Sequence, residues 1–430
     1  MIKTLQVITL GCSKNRVDTE HILATLGNDW LIIPEDEDAA VDVLLINTCG
    51  FIGDAKEESI AAILEAVEKK KRGEVGRLVV FGCLSQRYPL EMPELIPEVD
   101  VWYGARDFSP LIKELGGKPG EGSPRRLTLP TRSYAFLKIS EGCDRRCAYC
   151  AIPFIRGAHK SVPIETLVAE AEFLASQGVK ELVLIAQDTT FYGLDLYHRR
   201  ALAELLRELS KVEGIEWLRI HYSYPADFPE DVLDEMASNP KVCKYLDIPL
   251  QHVADGVLDL MHRHVDGAWT RELIRRMREK VPGVALRTTM IVGHPGEKEE
   301  DFDELLDFVR EARFERLGAF TYSEEDGTYG AEHYADDIPP EVKNARLDAL
   351  MSLQSQISLD FNRSRVGSVE RVLVDDRVDG VLVCRSQYES PEVDGEILVK
   401  YPDDSPVGQF IDVRIIGADE YDLIAEVVEK

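Results

Sequence analysis

The sequence predicts an α/β protein of three units: an N-terminal open parallel α/β domain, a central partial (β/α)6 barrel, and a small C-terminal antiparallel β-barrel of the OB-like kind. Three observations carry this. Short Val/Ile/Leu strands alternate with helical patterns from residue 3 to about 112; the alternation resumes for six βα units between Tyr134 and about 325; and the last 68 residues hold five short strands separated by turns rich in Gly, Asp and Pro. At 430 residues with 44% apolar content, the chain has enough material for two or three cores.

In the first unit, residues 3–115, strands are expected at Thr4–Leu10, Val43–Asn47 and Leu78–Phe81, with helices near Arg16–Leu26 and over Asp54–Lys71. Residues 116–128 follow, rich in Gly and Pro and lacking an apolar period, and read as a linker. The central unit, 129–360, has strands at Ala135–Ile139, Glu181–Ala186, Glu216–Ile220, Tyr245–Pro249, Val284–Val292 and Leu317–Tyr322, separated by helices such as Ile164–Gln177 and Glu299–Ala312. Its active face lies where the strands end. A helical stretch over 340–362 bridges to the tail, 363–430, with strands at Val369–Val374, Val381–Cys384, Glu396–Lys400, Phe410–Ile416 and Leu423–Val428.

The net charge is −28. A protein that grips a polyanion needs Lys and Arg to displace its counterions, so this surface disfavours nucleic acid and suits a basic partner. The tail makes the point locally, with eight Lys/Arg against sixteen Asp/Glu. The first apolar run is too brief for a signal segment and no membrane-length apolar run occurs, which predicts a cytoplasmic protein without membrane attachment. Eight cysteines are too sparse for a disulfide scaffold and, where grouped, point to metal or catalysis.

Cys143, Cys147 and Cys150 sit on one loop directly after the first strand of the central unit. Three thiolates holding a four-iron cubane leave one iron without a protein ligand, and an open iron is a place for chemistry. The alternative is a structural zinc, which needs a fourth ligand; His159 is the candidate, beyond a strand-like Ala-Ile-Pro-Phe-Ile stretch. In the first unit Cys12, Cys49 and Cys83 each follow a predicted strand, at the edge of a parallel sheet where ligands bind. Singly, each reads as a buried thiol; sharing one placement, they suggest a second cluster with its own open iron. The flanking Gly11, Gly50 and Gly82 are expected to let the backbone approach a bulky ligand. Cys243 and Cys384 stand apart and read as ordinary core thiols.

Tyr149 either covers the first cluster or touches an adenine, or it packs the loop. The run Arg287 to Glu297 ends a buried strand in a glycine turn at Gly293, suited either to backbone contacts with a nucleoside or to a plain strand-to-helix turn. Asn47, Gln187, Asp188, His221, Gln251 and His252 sit at or near strand ends, where they bind substrate or cap turns. No serine–histidine–acid set or phosphate-binding P-loop is evident.

The spacing Cys143-x-x-x-Cys147-x-Tyr149-Cys150 resembles the signature of the radical S-adenosylmethionine (SAM) superfamily. With a three-cysteine domain in front and a small barrel behind, called a TRAM domain in that group, almost the whole chain resembles the methylthiotransferases. The stretches Ser140–Gly157, Asp247–His252 and Leu286–Glu297 are similar to the branch that modifies an aspartate of small-subunit ribosomal protein twelve. The tRNA-modifying branch usually has Val-Val-Pro-Tyr-Thr-Arg-Gly after the third cysteine and Pro-x-Gln-Ser-Gly in place of the Gln-His element. His294 departs from the common Phe.

The resemblance implies two 4Fe-4S clusters and two SAM molecules. Cys143, Cys147 and Cys150 would hold the cluster that cleaves SAM, with Tyr149 and Gly293 as further cofactor contacts. Cys12, Cys49 and Cys83 would hold an auxiliary cluster carrying the sulfur. Expected partners are the ribosomal protein, free or in the ribosome, an electron donor and a sulfur source. A tRNA substrate is the alternative, and the acidic tail argues against it.

Overall fold

A computed structural model describes residues 2–27, 29–128, 133–400 and 406–428. The N-terminal unit is a five-stranded parallel sheet of β1 (Lys3–Thr9), β2 (Trp30–Ile33), β3 (Val41–Thr48), β4 (Val75–Gly82) and β5 (Val101–Tyr103), in the order β2-β1-β3-β4-β5. The alternation of β3 explains its two-sided burial. Leu44 and Ile46 join a core with Ile63, Ala66 and Val67 of the helix Gly53–Lys71, while Val43 and Leu45 join another with Ile22 and Leu23 of the helix Ser13–Ala24. The short edge strands β2 and β5 have no long apolar run, and sequence reading passes over them.

The central unit starts with β6 (Tyr134–Lys138). A two-stranded ribbon of β7 (Ser140–Glu141) and β8 (Lys160–Ser161) then brackets the Cys143–Cys150 loop. Next come β9 (Glu181–Ile185), β10 (Trp217–Ile220), β11 (Val242–Asp247), β12 (Ala285–Val292) and β13 (Arg316–Thr321). These six long strands lie parallel in the order β13-β12-β11-β10-β9-β6, a curved open sheet with helices packed on the face that carries Leu182, Leu184, Leu218 and Leu246. The stretch after Cys150, expected to be extended, is a short helix, Ile152–Arg156. Pro153 sits in its first turn, where a missing N–H costs nothing, and the apolar side that suggested a strand packs on Cys83 and Ala105.

The tail closes as a barrel of β14 (Val369–Val378), β15 (Val381–Arg385), β16 (Ile397–Lys400), β17 (Phe410–Ala418) and β18 (Leu423–Val427), in the order β14-β15-β16-β18-β17. Its pairings are antiparallel except β16 with β18, which is parallel. Residues 28, 129–132, 401–405, 429 and 430, which fall within the expected units, lie outside the described residues.

Two features join the units. Arg125, within the expected linker, is buried; it donates to Glu20 on the first unit (2.6 and 2.8 Å) and to Glu170 (2.6 Å) and the Phe136 carbonyl (3.0 Å) of the central one. The tail loop 386–394 covers the face of the central sheet opposite its helices. There Arg219 donates to the Gln387 carbonyl, Tyr245 donates to Asp394, and Arg316 and Arg365 both pair with Glu389. Cys243 and Cys384 are buried, as ordinary core thiols should be. Among the described residues no helix is long and apolar enough to cross a membrane.

Candidate functional site

β1, β3 and β4 are neighbours in the first sheet, so the residues that follow them meet at one edge. Cys12 caps the helix Ser13–Ala24, Cys49 follows β3 directly, and Cys83 opens the short helix Cys83–Arg87 after β4. The glycines bring the loops together: a Cβ on Gly11 would stand 2.7 Å from Cys49 Cβ and 2.9 Å from its Sγ, and one on Gly50 would stand 2.7 Å from Leu84 N and Cα. Their place is therefore close approach of loop to loop, where the sequence suggested approach of backbone to ligand. Cys49 and Cys83 are buried while Cys12 is exposed. Burial raises the Cys49 thiol and pushes Cys83 up to about 12.

The second trio lines a cavity of about 660 Å³ together with Phe154, Tyr329 and Glu332. Gly142, with φ +77, turns the chain into this loop, and Cys143 N–H donates to the Gly157 carbonyl (3.0 Å), closing it. Burial pushes the Cys143 thiol up to about 12 and raises Cys150 further still. Thiols held this way give up their protons when metal binds, so loading releases protons.

Among the described residues, no three of His, Cys, Asp and Glu stand close enough to share one metal ion. A zinc ion draws four ligands to about 2.3 Å or less of a single centre, whereas a cubane takes each thiolate at a separate iron, so a donor set of three thiolates suits a cluster and a zinc would need a fourth ligand. His159, the proposed fourth zinc ligand, is turned elsewhere: its Nε2 meets Ser161 Oγ (3.0 Å) and its ring stands edge-on to Phe191.

The remaining sequence candidates divide. Tyr149 packs against the group of Ala254, Val257 and Met261, and its hydroxyl accepts from Arg263 (3.3 Å), so the ring holds the loop from behind. Gly293 takes a left-handed φ of +73; its N–H and that of His294 donate to Glu297 (2.6 and 3.1 Å). Asn47 is structural, its amide tied to the Asn15 carbonyl and Thr19. Gln187 donates to Glu141 (2.7 Å), and Asp188 caps a turn and pairs with Arg145 (2.9 Å). His221 meets Ser390 of the tail loop (2.7 Å). Gln251, at φ +74, bridges to β12, and His252 Nδ1 accepts from Ala254 N–H (3.0 Å).

Sequence reasoning missed the arginines that touch the cysteines. Arg263 donates to Cys147 Sγ (3.4 Å), and Arg156 donates to Cys83 Sγ (3.3 Å) although it belongs to the other unit. Around Arg156 lie Asp18, Asn15 and Glu141, the last also paired with Lys138. Burial alone would raise the Glu141 carboxyl, but Lys138 and Arg156 outweigh it and hold it down to about 2. The one signal in the sequence was a charge at the end of an apolar run.

Three family models match parts of the chain. The model of the radical SAM superfamily matches residues 137–309, that of uncharacterized protein family UPF0004 matches 4–104, and that of the TRAM domain matches 366–428. The ribosomal protein uS12 methylthiotransferase RimO of Porphyromonas gingivalis is 51% identical over 429 residues, covering 99% of each chain, and that of Bacteroides fragilis is 49% identical over 430. Among solved structures, the radical SAM methyltransferase TsrM from Kitasatospora setae shares the fold, with a TM-score of 0.59 over 77% of this chain and 74% of its own at 14% identity. The two cysteine trios, the open six-stranded sheet and a closed tail barrel thus belong together: the chain is a radical SAM enzyme and a member of the RimO family of methylthiotransferases.

Proposed function

We propose that the chain uses two 4Fe-4S clusters and two molecules of SAM to add a methylthio group to the Cβ of an aspartate in ribosomal protein uS12. The observation that carries this is the pairing of two three-cysteine sites across one interface, with Arg156 of the SAM-side loop touching Cys83 of the other. Cys143, Cys147 and Cys150 would hold the first cluster, and Cys12, Cys49 and Cys83 the second. When bound, such clusters supply an electron, an open iron for SAM and a carrier for sulfur, which suits a Cβ hydrogen too weakly acidic for an ordinary base.

The chain's own part is containment. Tyr149 and Arg263 fix the loop of Cys143, Cys147 and Cys150, and Gly293 would offer its carbonyl at the neighbouring strand ends. The 660 Å³ cavity, lined by Phe154 and Tyr329 with Asp144, Glu332 and Arg146, gives a substrate a mixed apolar and charged surface to enter.

Incubation with SAM, reductant and either uS12 or tRNA, read by mass, tests the reading. An added methylthio group on the protein's aspartate is expected, and modification of tRNA alone would overturn it. Cys143→Ala should abolish 5′-deoxyadenosine formation, whereas Cys49→Ala should still cleave SAM and yield no methylthio product. Full product from Cys49→Ala would remove the auxiliary role.

A further inference from the structure

Arg156 lies six residues after Cys150, at the end of the helix Ile152–Arg156, and 5% of it is exposed. Three of the four hydrogen bonds of its guanidinium cross the interface. Nη1 donates to Asp18 (2.6 Å) and Glu141 (3.2 Å), Nη2 to Asn15 Oδ1 (2.5 Å), and Nε to Cys83 Sγ (3.3 Å).

Asn15 has no freedom to turn away. Its amide N–H groups donate to the Leu10 carbonyl (2.8 Å) and the Thr48 carbonyl (3.2 Å), so its oxygen must face Arg156. Ile155 and Ala151 pack on Cys83 beside this fork, and the next residue, Gly157, receives Cys143 N–H. One short helix therefore touches a cysteine of each trio. Asp18 and Glu141 balance the guanidinium's charge, so what Cys83 receives is one directed N–H aimed at its sulfur.

We propose that Arg156 is a positioning residue of the auxiliary site, whose N–H···S bond to Cys83 raises the reduction potential of the cluster held there. The inference rests on the reading of Cys12, Cys49 and Cys83 as cluster ligands. A donor to a ligating thiolate withdraws density from sulfur, which favours the more negative, reduced state of the cluster. The fork to Asp18 and Asn15 supplies the aim, since a planar guanidinium fixed at two corners cannot swing its third.

The test uses the full chain carrying Cys143→Ala, Cys147→Ala and Cys150→Ala, so that only the auxiliary site loads iron and sulfide. Potentiometric titration followed by electron paramagnetic resonance then compares Arg156→Gln with native Arg156. Arg125→Gln serves as control, because Arg125 is a buried cross-unit arginine bonded to Glu20 and Glu170 rather than to sulfur. At the native midpoint, Arg156→Gln is expected to raise the oxidised-to-reduced ratio about tenfold, a shift of about 59 mV to more negative potential for a one-electron couple. Arg125→Gln should leave the midpoint in place. Should the Gln variant fail to fold, Arg156→Lys carries the test, with a smaller shift in the same direction. An unshifted midpoint at full iron content overturns the proposal alone, whereas no iron bound with native Arg156 overturns the ligand reading and this inference with it.

Discussion

At the scale of single residues, the six cysteines were legible because spacing and placement after strands are properties of the sequence. Their surroundings were not. Arg156 lies 138 positions from Asp18 and 141 from Asn15 and meets them only when two units dock, and no local pattern reports such a meeting. Gly50 was legible as a glycine needed at close quarters, but what it approaches is the backbone at Leu84. Gly50→Ala should accordingly cost about 1–3 kcal/mol, because a rigid backbone cannot give way as a side chain would. A lower urea midpoint and reduced iron retention at Cys12, Cys49 and Cys83 would show it, and an unchanged midpoint would mean that the loops have slack. Tyr149 was legible as either a cofactor contact or a packer of the loop, and its ring does pack on the group that includes Ala254 and Met261.

For elements, long apolar runs were read well and short ones poorly. The six strands of the central sheet lie within a few residues of expectation, whereas β2 and β5 at the sheet edges and the helix Ile152–Arg156 were missed. An apolar stretch of five residues has too little length to reveal its period, so helix and strand cannot be told apart there. The helix Pro340–Ser364, expected as a bridge, does bridge. Asn362, fully buried near its end, donates to the Asp419 carbonyl (2.9 Å) while Ser358 donates to that of Glu420 (2.5 Å), and Arg316 reaches both side chains. Asn362→Ala should destabilise the tail by about 1–3 kcal/mol, since buried partners lose their bond without gaining water. Faster amide exchange confined to β17 and β18 would report it, and uniform exchange across the chain would argue against a local bridge.

For the whole molecule, the acidic charge has two destinations. Asp375, Glu389, Glu392 and Asp394 of the tail are paired internally with Arg385, Arg365, Arg16 and Arg287. The surplus open to a partner lies instead at exposed residues such as Asp376, Asp379, Asp412 and Glu426. Changing these four to Lys should weaken binding of uS12, and an affinity indifferent both to the change and to salt would exclude the tail as a docking surface.

Buried histidines set a pH dependence across the same units. Burial lowers His221 and His252 to about 3 and His294 to about 4. The unfolded chain, titrating near 6.5, binds protons that the folded one refuses, so stability present above that pH is lost as pH falls toward 4. Glu297, which burial raises to about 7, opposes this with a single group. From pH 7.5 to 5 each histidine should remove about 1–2 kcal/mol from the metal-free chain. A urea midpoint as high at pH 5 as at 7.5 would contradict it.

The Arg125 clamp carries one more consequence, for how the polypeptide can be cut. The first unit has its own cores, and Arg125, Arg156, Lys138 and Arg87 hold it to the central one without relying on the backbone between them. Covalent continuity through residues 116–124 should therefore be dispensable for assembly. Two separately encoded pieces, 1–120 and 121–430, should copurify as a split enzyme, and joint loss of Glu20, Asp18 and Arg87 from the smaller piece should part them.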